Sequence, residues 1–294
     1  MSSPDTLEQN SAPLPETVFT PHSALRAPRQ LLVELLRDIY QGHPLAWRMF
    51  LRDLRGLYRQ TLLGLFWAFL PPLANTALWV FLARQGVTDF GEEIGARYPI
   101  YVLTGMIFWQ SFMEGLMASI NGVQRNRHIL SKLRFPRESV LMVAMYDTFF
   151  NLLIRLAVLL PLLLLYQVSW GPQMLLVPLS ATLLVLLGTA VGCLLMPLAM
   201  LYQDISRFLL VITPVWMIVT QIVYPPPENL ESSPLNWANP ASPLLLFSRD
   251  LLVLGSTEHW SSAGLHGLLA LPLFVLSIIV YRVAIPVLVE RVAT

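Results

Sequence analysis

Six long apolar runs dominate the chain, at 62–83, 99–121, 140–166, 172–201, 208–224 and 264–289. A hydrocarbon core about 30 Å thick takes roughly 20 apolar residues in a helix, so each run reads as a membrane span, the fifth being the shortest. Pro178 and Pro197 interrupt the fourth. Spans tolerate such prolines when their neighbours satisfy the freed carbonyls. The expected fold is an all-α integral membrane protein with about six transmembrane helices in residues 62–289 and a short C-terminal end at 290–294. Residues 1–40 are largely polar and rich in proline at their start (Pro4, Pro13, Pro15, Pro21, Pro28), without the apolar run of a cleavable signal peptide. The first 30 of them read as a disordered tail, and the remainder as the start of the interface region before the first span.

Three pieces outside the spans have patterns of their own. In 45–60, within an interface segment 41–61, Trp47, Phe50, Leu54, Leu57 and Tyr58 recur on one helical face, and Arg48, Arg52, Arg55 and Arg59 form a stripe on another. This is the pattern of an amphipathic helix in the membrane surface, its cations toward lipid phosphates; the plainer alternative is the cationic flank of a first span. The loop 125–138, RNRHILSKLRFPRE, places Ile129, Leu130, Leu133 and Phe135 along one side of a short helix that Pro136 would end. A basic knob with an apolar stripe suits insertion into a partner protein; otherwise it touches only headgroups. In the connection 225–262, Ser242 before Pro243 signals a helix start and Gly255 a stop. The enclosed helix is apolar but only about 18 Å long, too short to cross. It reads as an external re-entrant segment, with a helix lying over the bundle as the alternative.

Composition agrees with a chain that meets lipid. Hydrophobic residues make up 55% and charged residues only 13%, against about 25% charged in soluble domains. The net charge of +1 hides an asymmetry. Lys and Arg crowd the N-terminal segment, the 125–138 loop, Arg207, Arg282 and Arg291, whereas the other side holds only Arg84, Arg97 and Arg249, with Asp89, Glu92 and Glu93. By the positive-inside rule both termini are expected in the cytoplasm, and an even number of spans, which puts them on one side, agrees with that. Cys193 is the only cysteine, which excludes an intrachain disulfide. A phosphate-binding loop needs Gly-Lys-Ser/Thr, and the sole lysine, Lys132, follows Ser131. The five histidines have no metal-ligand spacing and no nucleophile motif appears, so neither catalysis nor a bound cofactor is expected.

Ionisable groups inside spans are functional candidates by default. Asp147, Asn151 and Arg155 share one face of the third span, as Gln110 and Glu114 do in the second. By helix rise Asp147 and Glu114 lie about 12 Å, and Arg155 about 24 Å, from the cytoplasmic boundary, with Arg155 free to snorkel outward. They line a hydrated conduit, or else hydrogen-bond between helices. Tyr101, Phe108 and Phe112 also share a face, suiting an aromatic-lined path for a sugar chain or ordinary core packing.

Four stretches in order resemble polysaccharide-exporting permeases of the ABC-2 type: YRQTLLGLFWAFLPPL at 58–73, NRHILSKLRFPRE at 126–138, YQDISRF at 202–208 and NPASP…RDLLVLG at 239–255. The resemblance implies a homodimer in the bacterial cytoplasmic (inner) membrane, paired with two cytoplasmic ABC ATPase subunits that use ATP and Mg. The chain itself would be no enzyme and bind no cofactor or nucleic acid. The cargo implied is a lipid-linked polysaccharide such as O antigen, capsule or teichoic acid. A small-molecule exporter of the same type, a membrane-embedded transferase and an ATPase-independent carrier are the alternatives. By resemblance, the coupling residues are Arg125, Asn126, Lys132, Arg134, Phe135, Pro136 and Arg137. Trp47, Arg48, Arg52, Arg55, Tyr58 and Arg59 belong to the interface helix, whose arginines would hold a lipid pyrophosphate. Asp204 and Arg207 mark a second cytoplasmic loop, and Trp237, Asn239, Pro240 and Arg249 an external gate within 225–255.

Overall fold

The computed structural model describes residues 28–60, 64, 66–132, 136–168, 171–202, 204–226 and 238–293, which contain helices and no strand. In chain order the helices are α1 (Pro28–Gln60), α2 (Phe66–Arg84), α3 (Phe90–Ile94), α4 (Tyr98–Lys132), α5 (Glu138–Leu165), α6 (Val177–Leu201), α7 (Asp204–Val219), α8 (Ser242–Val253) and α9 (Trp260–Ala293). Short 3-10 turns at Gly95–Arg97 and Pro172–Leu176 lead into α4 and α6.

The centre of the bundle is α4 against α6, with α2, α5 and α8 also on α4, and α9 and α8 on α6. Lipid tails are as apolar as leucine, so helices in a bilayer associate where small residues let their backbones approach. Gly188 and Gly192 supply that seam on α6, in the spacing GTAVG. A side chain at either would strike the α4 backbone, at the Phe112 and Leu116 carbonyls respectively. From the α4 side, Ser119 Oγ donates to Gly115 O at 2.8 Å and reaches Thr189 O at 3.4 Å.

Four helical segments are long and apolar enough to cross a membrane: Phe66–Arg84, Glu138–Leu165, Pro172–Leu201 and Trp260–Ile285. Two of the six expected spans fall short by that measure. α4 is long enough, but Gln110, Ser111, Glu114 and Asn121 dilute its apolar run. α7 has 16 residues, about 24 Å by helix rise, and ends in a turn where Gln221 has φ 58.

The N-terminal part departs from expectation too. α1 begins at Pro28, ahead of the amphipathic segment expected from residue 41, so the start of the interface region is helix as well. Leu35, Gly42, Ala46 and Phe50 recur along one buried face, a docking stripe that the prolines further upstream obscured. The expected loop helix is a continuation of α4 as far as Lys132. By contrast, α8 starts at Ser242 as its proline signals, and Gly255, with φ 77, follows its end. Its twelve residues are all buried among α4, α6 and α9, so it is a core element and not a helix laid over the bundle.

Candidate functional site

In the middle of the bundle Arg155 is 1% exposed. Its guanidinium grips both carboxylate oxygens of Glu114, with Nη1 donating to Oε2 at 3.0 Å. Nη1 also reaches Ser111 Oγ at 3.3 Å, and Nε donates to the Ala68 carbonyl at 2.8 Å. That last contact has a local cause. Pro72, four residues after Ala68, has no N–H, so the α2 ladder leaves the Ala68 carbonyl without its donor. Arg155 therefore joins α2, α4 and α5, and it does not snorkel outward. A fork-to-fork pair of this kind is how a charge persists at low dielectric.

Around it, Gln110, Glu114, Asp147 and Asn151 are half-buried. Half-buried Asn121 and exposed Arg125 extend the row toward the C-terminal end of α4. Asn121 is missing from the sequence-based set, although its spacing from Glu114 and Arg125 places it on their face. The aromatic residues behave differently. Tyr101, Phe108 and Phe112 are all buried within the bundle. Phe112 packs on Trp109 and Trp216, and Tyr101 lies under Arg249. The shared face is real, but it turns inward, so these rings do not line an open route.

At the end of the bundle that carries the basic loop, α1 docks on α5. Ala46 and Phe50 cluster with Val143, while Trp47 and Phe50 meet Tyr146 edge-on and Phe50 meets Phe150. Part of the apolar face of α1 is thus covered by protein. Arg48, Arg52 and Arg55 are exposed, Arg52 paired to its neighbour Asp53 at 2.8 Å. The helical backbone includes Tyr58, Arg59 and Lys132, whose side chains lie outside the described set. Of the basic loop, Arg125 is exposed, and Asn126 donates to Gly122 O at 2.8 Å. Pro136 and Arg137 are half-buried, and Arg134 and Phe135 lie outside the described residues. Asp204 and Arg207 form an exposed pair at 3.7 Å, which adds little stability. Arg282, Glu34, Asp38 and Glu138 form a further cluster here that no sequence pattern singled out. Arg282 and Glu34 are 248 positions apart, beyond any local periodicity.

At the opposite end Arg249 is fully buried on α8. It donates to the Gln221 carbonyl at 2.9 Å and to Asp250 Oδ1 at 3.2 Å, and lies 3.9 Å over the Tyr101 ring. Its charge thus sits on carbonyls just past the C-terminus of α7, where the helix dipole favours a cation. Asn239 accepts from Trp216 Nε1 and donates to Thr220 Oγ1, both at 3.0 Å. Pro240 is half-buried beside it, and Trp237 lies outside the described residues. Arg249 and Asn239 therefore staple α7 to α8; Trp216 and Thr220 are the partners that the sequence reading missed. Among the described residues, no group of three or more His, Cys, Asp or Glu side chains is placed to hold a metal ion.

The sequence profile described as ABC-2 type transporter matches residues 44–249. Three relatives, one of Myxococcus xanthus and two of Klebsiella pneumoniae, carry the description O-antigen export system permease protein RfbA. That of Myxococcus xanthus is 22% identical over 202 residues, covering 66% of this chain and 73% of the relative. One of the two of Klebsiella pneumoniae is 23% identical over 217 residues, covering 71% and 80%.

Proposed function

The chain belongs to the ABC-2 type transporter family, and from that premise we propose that it is the transmembrane subunit of an ATP-driven exporter of a lipid-linked polysaccharide. The observation that carries the reading is the likeness, over most of the chain, to permeases described as O-antigen exporters. The helical bundle with its four long apolar segments fits a multi-pass membrane subunit.

In this reading α4 and α7 cross as well, which makes six spans with both termini in the cytoplasm, and α8 is the re-entrant element on the outer side. Two copies face each other, and two cytoplasmic ATPase subunits, which use ATP and Mg, grip the loop 125–138. Arg48, Arg52 and Arg55, exposed on α1, hold the anionic pyrophosphate of the lipid carrier through charge-assisted hydrogen bonds. The half-buried polar row on α4 and α5 lines the route for the glycan, whose hydroxyls exchange hydrogen bonds with amides and carboxylates. The work is mechanical: closure of the ATPase pair displaces the loop, and the displacement opens the route.

The test is reconstitution. Vesicles holding this chain with its ATPase partner, ATP, Mg and lipid-linked O polysaccharide should move glycan, and vesicles without the ATPase should move none. Replacing Phe135, Pro136 and Arg137 with Ala should leave ATP hydrolysis running while glycan movement falls by about tenfold. Transport of small amphiphiles in place of glycan would instead support a small-molecule exporter, and glycan movement by the chain alone would end the reading.

A further inference from the structure

The ionic cluster at the cytoplasmic end has no part in the mechanism so far. Arg282 on α9 stands 2.8 Å from Asp38 Oδ2, donates to Glu138 Oε1 at 3.0 Å and reaches Glu34 Oε2 at 3.4 Å. Glu34 and Asp38 are one turn apart on α1. Glu138 opens α5, directly after the basic loop. The Arg282 side chain is 18% exposed and that of Glu138 only 7%, so this pair is not a solvent-screened surface contact. Glu34, at 64%, contributes least.

Further contacts tie the same three elements. Tyr281 Oη donates to the Arg137 carbonyl at 3.1 Å, and Ser139 Oγ donates to the Gly42 carbonyl at 3.3 Å. A side chain at Gly42 would place its Cβ 2.6 Å from Ser139 Oγ and 3.3 Å from Pro136 Cβ. The bare backbone of α1 at this point thus lies directly on the end of the basic loop.

The geometry of attachment matters. Apolar packing alone, at Leu35, Ala46 and Phe50, would leave a helix of 33 residues free to slide and turn on its neighbours. Asp38 supplies a second anchor twelve residues before Phe50, roughly 18 Å along the axis. Two anchors make α1 follow the start of α5 as one body. We propose that Arg282 is a positioning residue of the transport cycle: it fixes the first half of α1 to the exit of the basic loop, so that displacement of the loop reaches the helix carrying Arg48, Arg52 and Arg55. The transmission half of this proposal rests on the transport reading above; the docking half does not.

The experiment uses the whole permease–ATPase complex in vesicles, with spin labels on cysteines placed at exposed Val33 and Tyr202. Arg282→Gln should broaden the distance distribution between the labels. It should lower glycan moved per ATP by about tenfold while basal hydrolysis stays within about twofold, and Arg282→Lys should restore about half the loss. The double variant Arg282→Gln/Glu138→Gln removes the stranded buried carboxylate, so its thermal stability should recover although its transport does not. Unchanged distances in Arg282→Gln, intact glycan per ATP, or transport that returns together with stability in the double variant would each overturn the proposal. If Arg282→Gln yields no complex, Gly42→Leu decides, since it wedges the same contact and keeps every charge: a matching loss of glycan per ATP supports the proposal, and full coupling overturns it. A wild-type complex that moves no glycan would refute the transport reading, and the label distances would still judge the docking.

Discussion

A guanidinium in the middle of a bilayer persists only where every donor finds an acceptor and the charge a counter-ion. Arg155 meets both conditions through residues on two other helices, and one acceptor exists because Pro72 leaves the Ala68 carbonyl unclaimed. The arrangement predicts unequal costs. Glu114→Gln leaves a side chain that is 2% exposed charged and without its carboxylate, a loss of about 3–5 kcal/mol for a broken buried pair. Replacing both partners, as Arg155→Met/Glu114→Leu, should cost less than Glu114→Gln alone, because no charge is stranded. Pro72→Ala gives the Ala68 carbonyl an in-helix donor, so it should soften the effect of Arg155→Met. Thermal unfolding of the purified protein in detergent measures all of these variants, the Pro72→Ala/Arg155→Met pair included. If Pro72→Ala shifts the midpoint equally with Arg155 present or absent, the proline and the arginine are not coupled.

Whole helices are positioned by devices of different reach, and that decides which were legible in the sequence. The bounds of α8 were legible because Pro243 and Gly255 act within a turn of its ends. The first half of α1 was not, because it is held by Arg282, which the chain supplies only near its other end. The Tyr101, Phe108 and Phe112 face could be read as a face, but α6, α7 and α8 decide that it turns inward. The stripe of Gln110, Glu114, Asp147 and Asn151 was legible as four-residue spacing, and the Ala68 carbonyl that completes the Arg155 site was not. The α4–α6 seam was written locally as GTAVG and went unread. It supports a sharp prediction. Gly188→Leu or Gly192→Leu would drive a side chain into α4 backbone that cannot rotate aside, so the cost should reach or exceed the upper end of the about 1–3 kcal/mol typical of overpacking. The readout is recovery of monodisperse protein by size exclusion. Gly264 has nothing within 4 Å of its would-be Cβ, so Gly264→Ala should leave recovery unchanged, and equal recovery of Gly188→Leu would refute the seam.

The assembled molecule presents two kinds of exposed surface at membrane depth. Leu153, Leu164, Leu179, Leu268, Leu271 and Leu276 point outward and match lipid tails. The row of Gln110, Glu114 and Asn121 on α4, with Asp147 and Asn151 on α5, is half-buried and polar, and polar groups do not face hydrocarbon without water or protein beside them. Under the proposed function a facing second copy, with water between, would meet that requirement, and the row would then be the wall of a route. Thiol chemistry separates the two surfaces, because alkylation requires a hydrated thiolate. The background is clean, since the single native cysteine, Cys193, is fully buried. Cysteines placed at Gln110, Asn121 and Asn151 should react with a charged, membrane-impermeant reagent at least about tenfold faster than cysteines at Leu179 and Leu268. Cysteines at Phe108 and Phe112 should be protected as well, because those rings are packed within the bundle. Added lipid-linked glycan should slow the reaction at Asn121 and leave the lipid-facing positions as they were. Fast labelling at Phe108 and Phe112 with protection at Asn121 would transfer the route to the aromatic face, and the polar row would then be joinery between helices.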